Sequence, residues 1–241
     1  MSLYRDTGVV LRTYKLGEAD RIVVILTAEH GKVRAVAKGV RKTKSRFGGR
    51  LEPLNHVSLL LYEGRELDIV SQADMIDTPA PLLADLDLLT QGLALLEAVD
   101  QVAMDREPAP ALYRMLVGAL RTLEERPSPL VVPAFYWKLL VAEGVRPELD
   151  ACVGCGEREP VVALVAFDMA EGGVLCRSCR SGRPVSAEAL RITRMILGGQ
   201  LNAALGEEPS LATPEVGHLA TAALEHHLER RLRSVAMFER S

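Results

Sequence analysis

Cys152-Val153-Gly154-Cys155 and Cys176-Arg177-Ser178-Cys179 are the residues whose type and spacing most directly define a chemistry. Two CxxC pairs twenty residues apart can bring four thiolates into a tetrahedron, the arrangement of a closed structural zinc site. Turn residues accompany each pair, Gly154 and Gly156 at the first and Ser178, Ser181 and Gly182 at the second. Between them, residues 161–167 and 172–175 read as a short hairpin, so the unit reads as a zinc ribbon holding one Zn ion. Four reduced cysteines packed as small apolar groups remain an alternative, as does a redox pair, although Cys155-Gly156-Glu157 lacks the strand-to-helix setting of a thioredoxin-like site. Four protein ligands leave no open position on the ion, whose predicted role is to staple a loop with little core of its own.

The second chemistry is electrostatic. The chain has 241 residues, 48% of them hydrophobic and 25% charged, a composition that excludes disorder, collagen-like repeats and a coiled-coil rod. Its formal net charge of −3 argues, taken alone, against a polyanion partner. The charge is unevenly placed, however: residues 1–50 hold twelve Lys and Arg against four acids. Between Gly31 and Leu51 stand Lys32, Arg34, Lys38, Arg41, Lys42, Lys44, Arg46 and Arg50 with no acid at all, preceded by Arg12 and Lys15. Such a run is either a solvated loop or a phosphate-binding surface whose affinity falls with salt. Aromatics are sparse in the head, with Phe47 alone among the cations, where it is either a stacking group or a loop anchor. The surface therefore reads as a backbone reader accepting single-stranded and duplex nucleic acid alike.

The elements that must position these groups follow from periodicity. Strands are predicted at 7–14, 21–27, 32–38, 57–62 and 67–73, with Val33, Ala35 and Ala37 alternating against Lys32, Arg34, Val36 and Lys38. Five short strands in about 75 residues fit a small closed barrel of the OB type, with an SH3-like barrel as the alternative; the OB ligand face lies on its second and third strands. From Thr78 the period becomes helical: helices are predicted at 82–104, 110–125, from Ser128-Pro129 to Gly144, 186–205 and 214–233. The fold class is α+β, an N-terminal five-stranded OB-type β-barrel and a helical C-terminal body with an inserted four-cysteine zinc ribbon. The predicted division is 1–78 for the nucleic-acid-binding barrel, 79–149 helical, 150–183 the insert and 184–241 helical again.

Other groups carry less. His218, His226 and His227 read as a solvated helix face, and Phe135-Tyr136-Trp137 as core. The Gly-Gly pairs at 48–49 and 198–199 lack the Lys-Ser/Thr of a Walker A loop, and no nucleophile elbow or HExxH is present, so no enzyme is expected. The first residues carry no apolar leader and no stretch approaches a membrane span, which favours a cytoplasmic location.

Tyr4-Arg5-Asp6-Thr7-Gly8-Val9-Val10-Leu11-Arg12, Leu16-Gly17-Glu18-Ala19-Asp20-Arg21-Ile22, Thr27, His30-Gly31, Ala37-Lys38-Gly39-Val40-Arg41, and Pro147 and Asp150 before the cysteines together resemble the RecO family of bacterial DNA repair proteins. The resemblance runs over nearly the whole chain; the helices alone would identify nothing. It implies a cytoplasmic, nucleoid-associated recombination mediator that binds single- and double-stranded DNA and anneals complementary strands. It further implies action with RecR, sometimes with RecF, to load RecA onto strands coated by single-strand-binding protein, whose acidic apolar C-terminal tail needs a groove in the helical body. The family's DNA surface maps onto Arg34, Lys38, Arg41, Lys42, Lys44 and Arg46. Some members lack the cysteines; here all four positions are filled. A zinc-ribbon RNA-binding or transcription-associated module is the competing class, and an unrecognised nuclease or ligase a third.

Overall fold

The computed structural model describes residues 2–233. Strands β1 (Leu3–Leu16), β2 (Asp20–Thr27), β3 (Lys32–Ala37), β4 (His56–Tyr62) and β5 (Asp68–Asp77) close into a barrel in the order β1-β2-β3-β5-β4. Every pairing is antiparallel except β3 with β5, which run parallel through Ala35↔Asp68 and Val36↔Ile69. This Greek-key closure is that of the OB fold and removes the open sheet edge. Alternation explains the barrel interior, where Val10, Val23, Ile25, Ala35, Ala37, Val57, Leu59, Leu61 and Val70 are buried together. On the opposite face Val9, Val24 and Leu26 are also buried, because helices cover part of the outside.

Those helices are α1 (Ala80–Ala84), α2 (Leu86–Val102) and α3 (Pro110–Glu125). With the barrel they form the first of two compact units, which reaches Glu125. The single helix expected at 82–104 is broken at Asp85, whose extended backbone and carboxylate, accepting the N–H groups of Asp87 and Leu88 at 2.8 and 3.0 Å, start α2 afresh. Leu83 and Leu86 continue the apolar spacing across that break yet are 56% and 71% exposed. Beyond α2, the backbone passes so close to the β2–β3 turn that a Cβ on Gly31 would lie 1.8 Å from the Glu107 carbonyl oxygen; with φ +68°, this position requires glycine.

The second unit begins at Arg126 and holds α4 (Val131–Ala142), β6 (Leu164–Asp168), β7 (Gly173–Cys176), β8 (Arg183–Pro184), α5 (Ala187–Leu197), α6 (Leu201–Leu205) and α7 (Ala212–His227). Phe135, Tyr136 and Trp137 of α4 are at most 3% exposed, as a core helix packed against α5 and α7 requires. Ser186 caps α5 as expected, its hydroxyl accepting from Ala189 N–H at 3.1 Å. The helix expected at 186–205 stops at Gly198-Gly199 and resumes as α6, and α7 starts at Ala212 and ends at His227, short of the expected 233. No helix of the described residues is long and apolar enough to cross a membrane.

Between β3 and β4 the chain makes successive turns and drives Phe47 and Leu51, 1% and 2% exposed, into the barrel core. Phe47 is thus the loop's anchor, with the Arg46 guanidinium stacked over its ring at 4.7 Å. Phe47→Ala should lower stability by about 3–5 kcal/mol, read as a reduced urea midpoint of the barrel transition. A midpoint unchanged from the parent would show that the segment is not held by this contact.

Candidate metal centre and nucleic-acid interface

The sheet β7-β6-β8 and the loop after α4 carry the four cysteines. Their sulfurs all lie within 4.8 Å of one another, with Cys155 Sγ and Cys176 Sγ 3.9 Å apart. Tetrahedral bonds of about 2.3 Å place ligand sulfurs about 3.8 Å from each other, whereas a disulfide would need about 2.05 Å, so the set fits a four-thiolate metal site. Backbone geometry fixes the first pair: Cys152 N–H donates to Glu157 O at 2.8 Å, Gly156 N–H to Cys152 O at 2.7 Å, and Cys176 N–H to Cys152 Sγ at 3.3 Å. Gly154 leaves room for the second pair, since a Cβ there would stand 3.0 Å from Cys179 Cβ.

Charge within the cluster is distributed unequally. Burial disfavours the Cys152 thiolate, but N–H groups of Cys176, Cys155 and Gly154 outweigh it and bring this thiol down to about 6. Hydrogen bonds with Cys176 and Cys155, followed by burial, push Cys179 up to about 12. For Cys155 the N–H of Glu157 favours the anion, yet the bond with Cys152 and burial leave it raised. Cys152 ionises readily whereas Cys155 and Cys179 hold their protons more firmly; a divalent cation would stabilise the thiolates and let all four ligate. Among the described residues this is the group of side chains brought together as metal ligands, and the histidines of α7 do not join one.

The ten cations expected at the nucleic-acid surface separate into two sets. Arg12 and Lys32 converge on Asp100 of α2, a carboxylate whose side chain is only 6% exposed. Arg12 Nε lies 2.8 Å from Asp100 Oδ2, and Lys32 Nζ lies 3.6 Å from Oδ1 and donates to the Asp100 carbonyl at 2.8 Å. Lys32 also pairs with Asp105 at 3.6 Å and its side chain is 12% exposed, so it braces the helix against the barrel. No local sequence signal links these residues, since Asp100 follows Lys32 by 68 positions.

The other set stays in solvent. Lys15 lies one residue before the end of β1 and Arg34 stands on β3; Lys38, Lys42 and Lys44 follow in the turn segment, and among the described residues none of these five side chains has an acidic partner. Among the described residues, the Arg41, Arg46 and Arg50 side chains hydrogen-bond carbonyl oxygens alone: Arg41 reaches Gly17 and Glu18 at 3.4 and 2.9 Å, Arg46 reaches Val70 at 3.4 Å, and Arg50 reaches Arg46 at 2.9 Å. These bonds orient the guanidinium groups without cancelling their charge. Two neighbouring acids are already engaged, Asp20 accepting Gly39 N–H at 2.7 Å and Glu52 pairing with Arg21 at 2.7 Å. By register Arg34 stands in the outward-facing row of Val24 and Lys15 in the row of Ala37 at the end of β1, while the remaining cations lie in the turn segment after β3.

A closed OB-type barrel with a cation-rich turn segment, followed by helices that bear a four-thiol insert, defines the architectural class. Family models described as recombination protein O N terminal and recombination protein O C terminal match residues 1–79 and 83–236. The chain is 45% identical over 247 residues to a DNA repair protein RecO of Frankia casuarinae and 43% identical over 250 residues to one of Cutibacterium acnes, each alignment covering 100% of both chains. The chain belongs to the recombination protein O family, and that membership supports a role in recombination and DNA repair.

Titrating reduced protein with cobalt(II) should give the intense visible absorption of tetrahedral thiolate coordination, saturating at about one ion per chain, and Cys152→Ser or Cys179→Ser should abolish it. Octahedral-type weak absorption in the parent protein would reject the four-thiolate site.

Proposed function

We propose that this chain is a non-enzymatic recombination mediator that binds single- and double-stranded DNA through the barrel and anneals complementary strands. The observation that carries the proposal is the set of exposed cations, Lys15, Arg34, Lys38, Lys42 and Lys44, whose charge no acid of the described residues neutralises. Arg41, Arg46 and Arg50 add oriented charge, whereas Arg12 and Lys32 act by holding the barrel to α2. The mechanism is electrostatic: cations that sit between two phosphate backbones reduce their repulsion, so complementary strands can approach and pair without nucleotide hydrolysis.

In this reading the chain works in the cytoplasm at the nucleoid with RecR, and in some settings RecF, to place RecA on strands coated by single-strand-binding protein, whose C-terminal tail docks on the helical body. Residues 1–78 are the DNA-binding part, and 150–183 are an insert among the helices that follow. The metal held by Cys152, Cys155, Cys176 and Cys179 is one Zn ion with a structural role, since four thiolates complete its tetrahedron.

Replacing Arg34, Lys38, Lys42 and Lys44 together with Ala should weaken single-strand binding at low salt and flatten the slope of log K against log salt by about 3. The same variant should anneal complementary strands more slowly. Unchanged affinity and slope would overturn the assignment, and preference for structured RNA over DNA, with no annealing, would transfer it to an RNA-binding module.

A further inference from the structure

Tyr14, Ile22 and Val36 lie in register across β1, β2 and β3. Their chain neighbours Val23 and Ala35 point into the barrel core, so this row faces outward. One row further along the same face, Val24 is buried under helices, but Ile22 and Val36 are only half-buried. Tyr14 is 39% exposed and Leu16, two residues on, 37%. The outer sheet thus carries a bare apolar strip.

Cations frame it. Arg12 and Arg34 flank Val24 in the adjacent row, and Lys38 follows Val36 by two residues. The Arg12 guanidinium stacks on Tyr14 at 4.8 Å from the ring centroid and is itself fixed by Asp100 at 2.8 Å. The buried carboxylate therefore sets the arginine, and the arginine sets the pose of the ring, which stays partly exposed. A ring held this way loses little side-chain freedom on binding.

We propose that Tyr14 stacks on an unpaired base of a single strand, with Ile22 and Val36 extending the platform and Arg34 and Lys38 contacting the flanking phosphates. The proposal rests on the reading that the barrel binds DNA, and deepens it by adding a preference. An apolar strip edged by cations matches the alternation of flat bases and phosphates in a single strand. In a duplex the bases are stacked on one another and only the backbone can meet Arg34 and Lys38, so the platform discriminates against duplex.

The full-length chain supplies the test. Its one tryptophan, Trp137, is 1% exposed in the second unit, so Tyr14→Trp introduces a reporter at the platform. Oligothymidylate should quench the new emission, and a duplex of the same length should not. Tyr14→Ala should lower single-strand affinity by about tenfold with duplex affinity unchanged, and Tyr14→Phe should retain both. Equal loss toward both ligands, or undiminished single-strand binding by Tyr14→Ala while the parent still binds, overturns the stacking proposal and leaves the backbone-binding reading intact. Failure of the parent to bind either ligand overturns both. A shift of Tyr14→Ala to a smaller sedimenting species would assign the strip to contact between copies of this chain.

Discussion

Seven of the eight cations in the twenty residues after Gly31, those from Arg34 to Arg50, must be held in place without being neutralised. Acids within the run would fix it and abolish its field. The structure instead fixes the backbone with apolar and neutral groups: Phe47 and Leu51 enter the barrel core, and Asn55 Nδ2 donates to the Gly49 and Arg50 carbonyls at 2.7 and 3.1 Å. Arg41 N–H donates to Ala19 O at 3.0 Å and ties the segment to the β1–β2 turn. Magnitudes explain why this suffices. Two exposed like charges about 10 Å apart in water repel by roughly 0.4 kcal/mol before salt screening, whereas burying one large apolar side chain contributes about 1.5–3 kcal/mol. Two such anchors outweigh several repulsive pairs, and the charge stays available to a ligand.

The contrast with Arg12 and Lys32 follows from the same physics. Where helices cover the barrel, Lys32 loses most of its water and needs a partner, which Asp100 provides, while the half-exposed Arg12 reaches the same carboxylate from its solvent side. Loss of the carboxylate would leave a largely buried lysine without its main compensation. Asp100 also positions Arg12 over Tyr14, so one buried acid joins the packing of α2 to the shape of the barrel's outer face.

The strands were legible because one face of each is buried, so Val33, Ala35 and Ala37 alternate with Arg34 and Lys38, and five such strands in succession pointed to a small barrel. The four cysteines were legible because coordination demands residue type and spacing together. What escaped depended on distant partners or on backbone stops. The breaks at Asp85 and at Gly198-Gly199 interrupt helices whose apolar spacing continues, and Leu83 and Leu86 extend that spacing without burying anything. The roles of Arg12 and Lys32 were hidden because Asp100 is remote in sequence, and Tyr14 stood out only once the register set it beside Ile22 and Val36.

The proposed contact of nucleic acid with the anchored but unneutralised barrel segment is open to direct measurement. Hydrogen exchange of the full-length protein, with and without a saturating single-stranded oligonucleotide at low salt, addresses it directly. Strong added protection is expected at the end of β1, along β3 and through residues 38–50, reversed by raising salt. Protection concentrated in the second unit, with residues 38–50 unchanged, would contradict it.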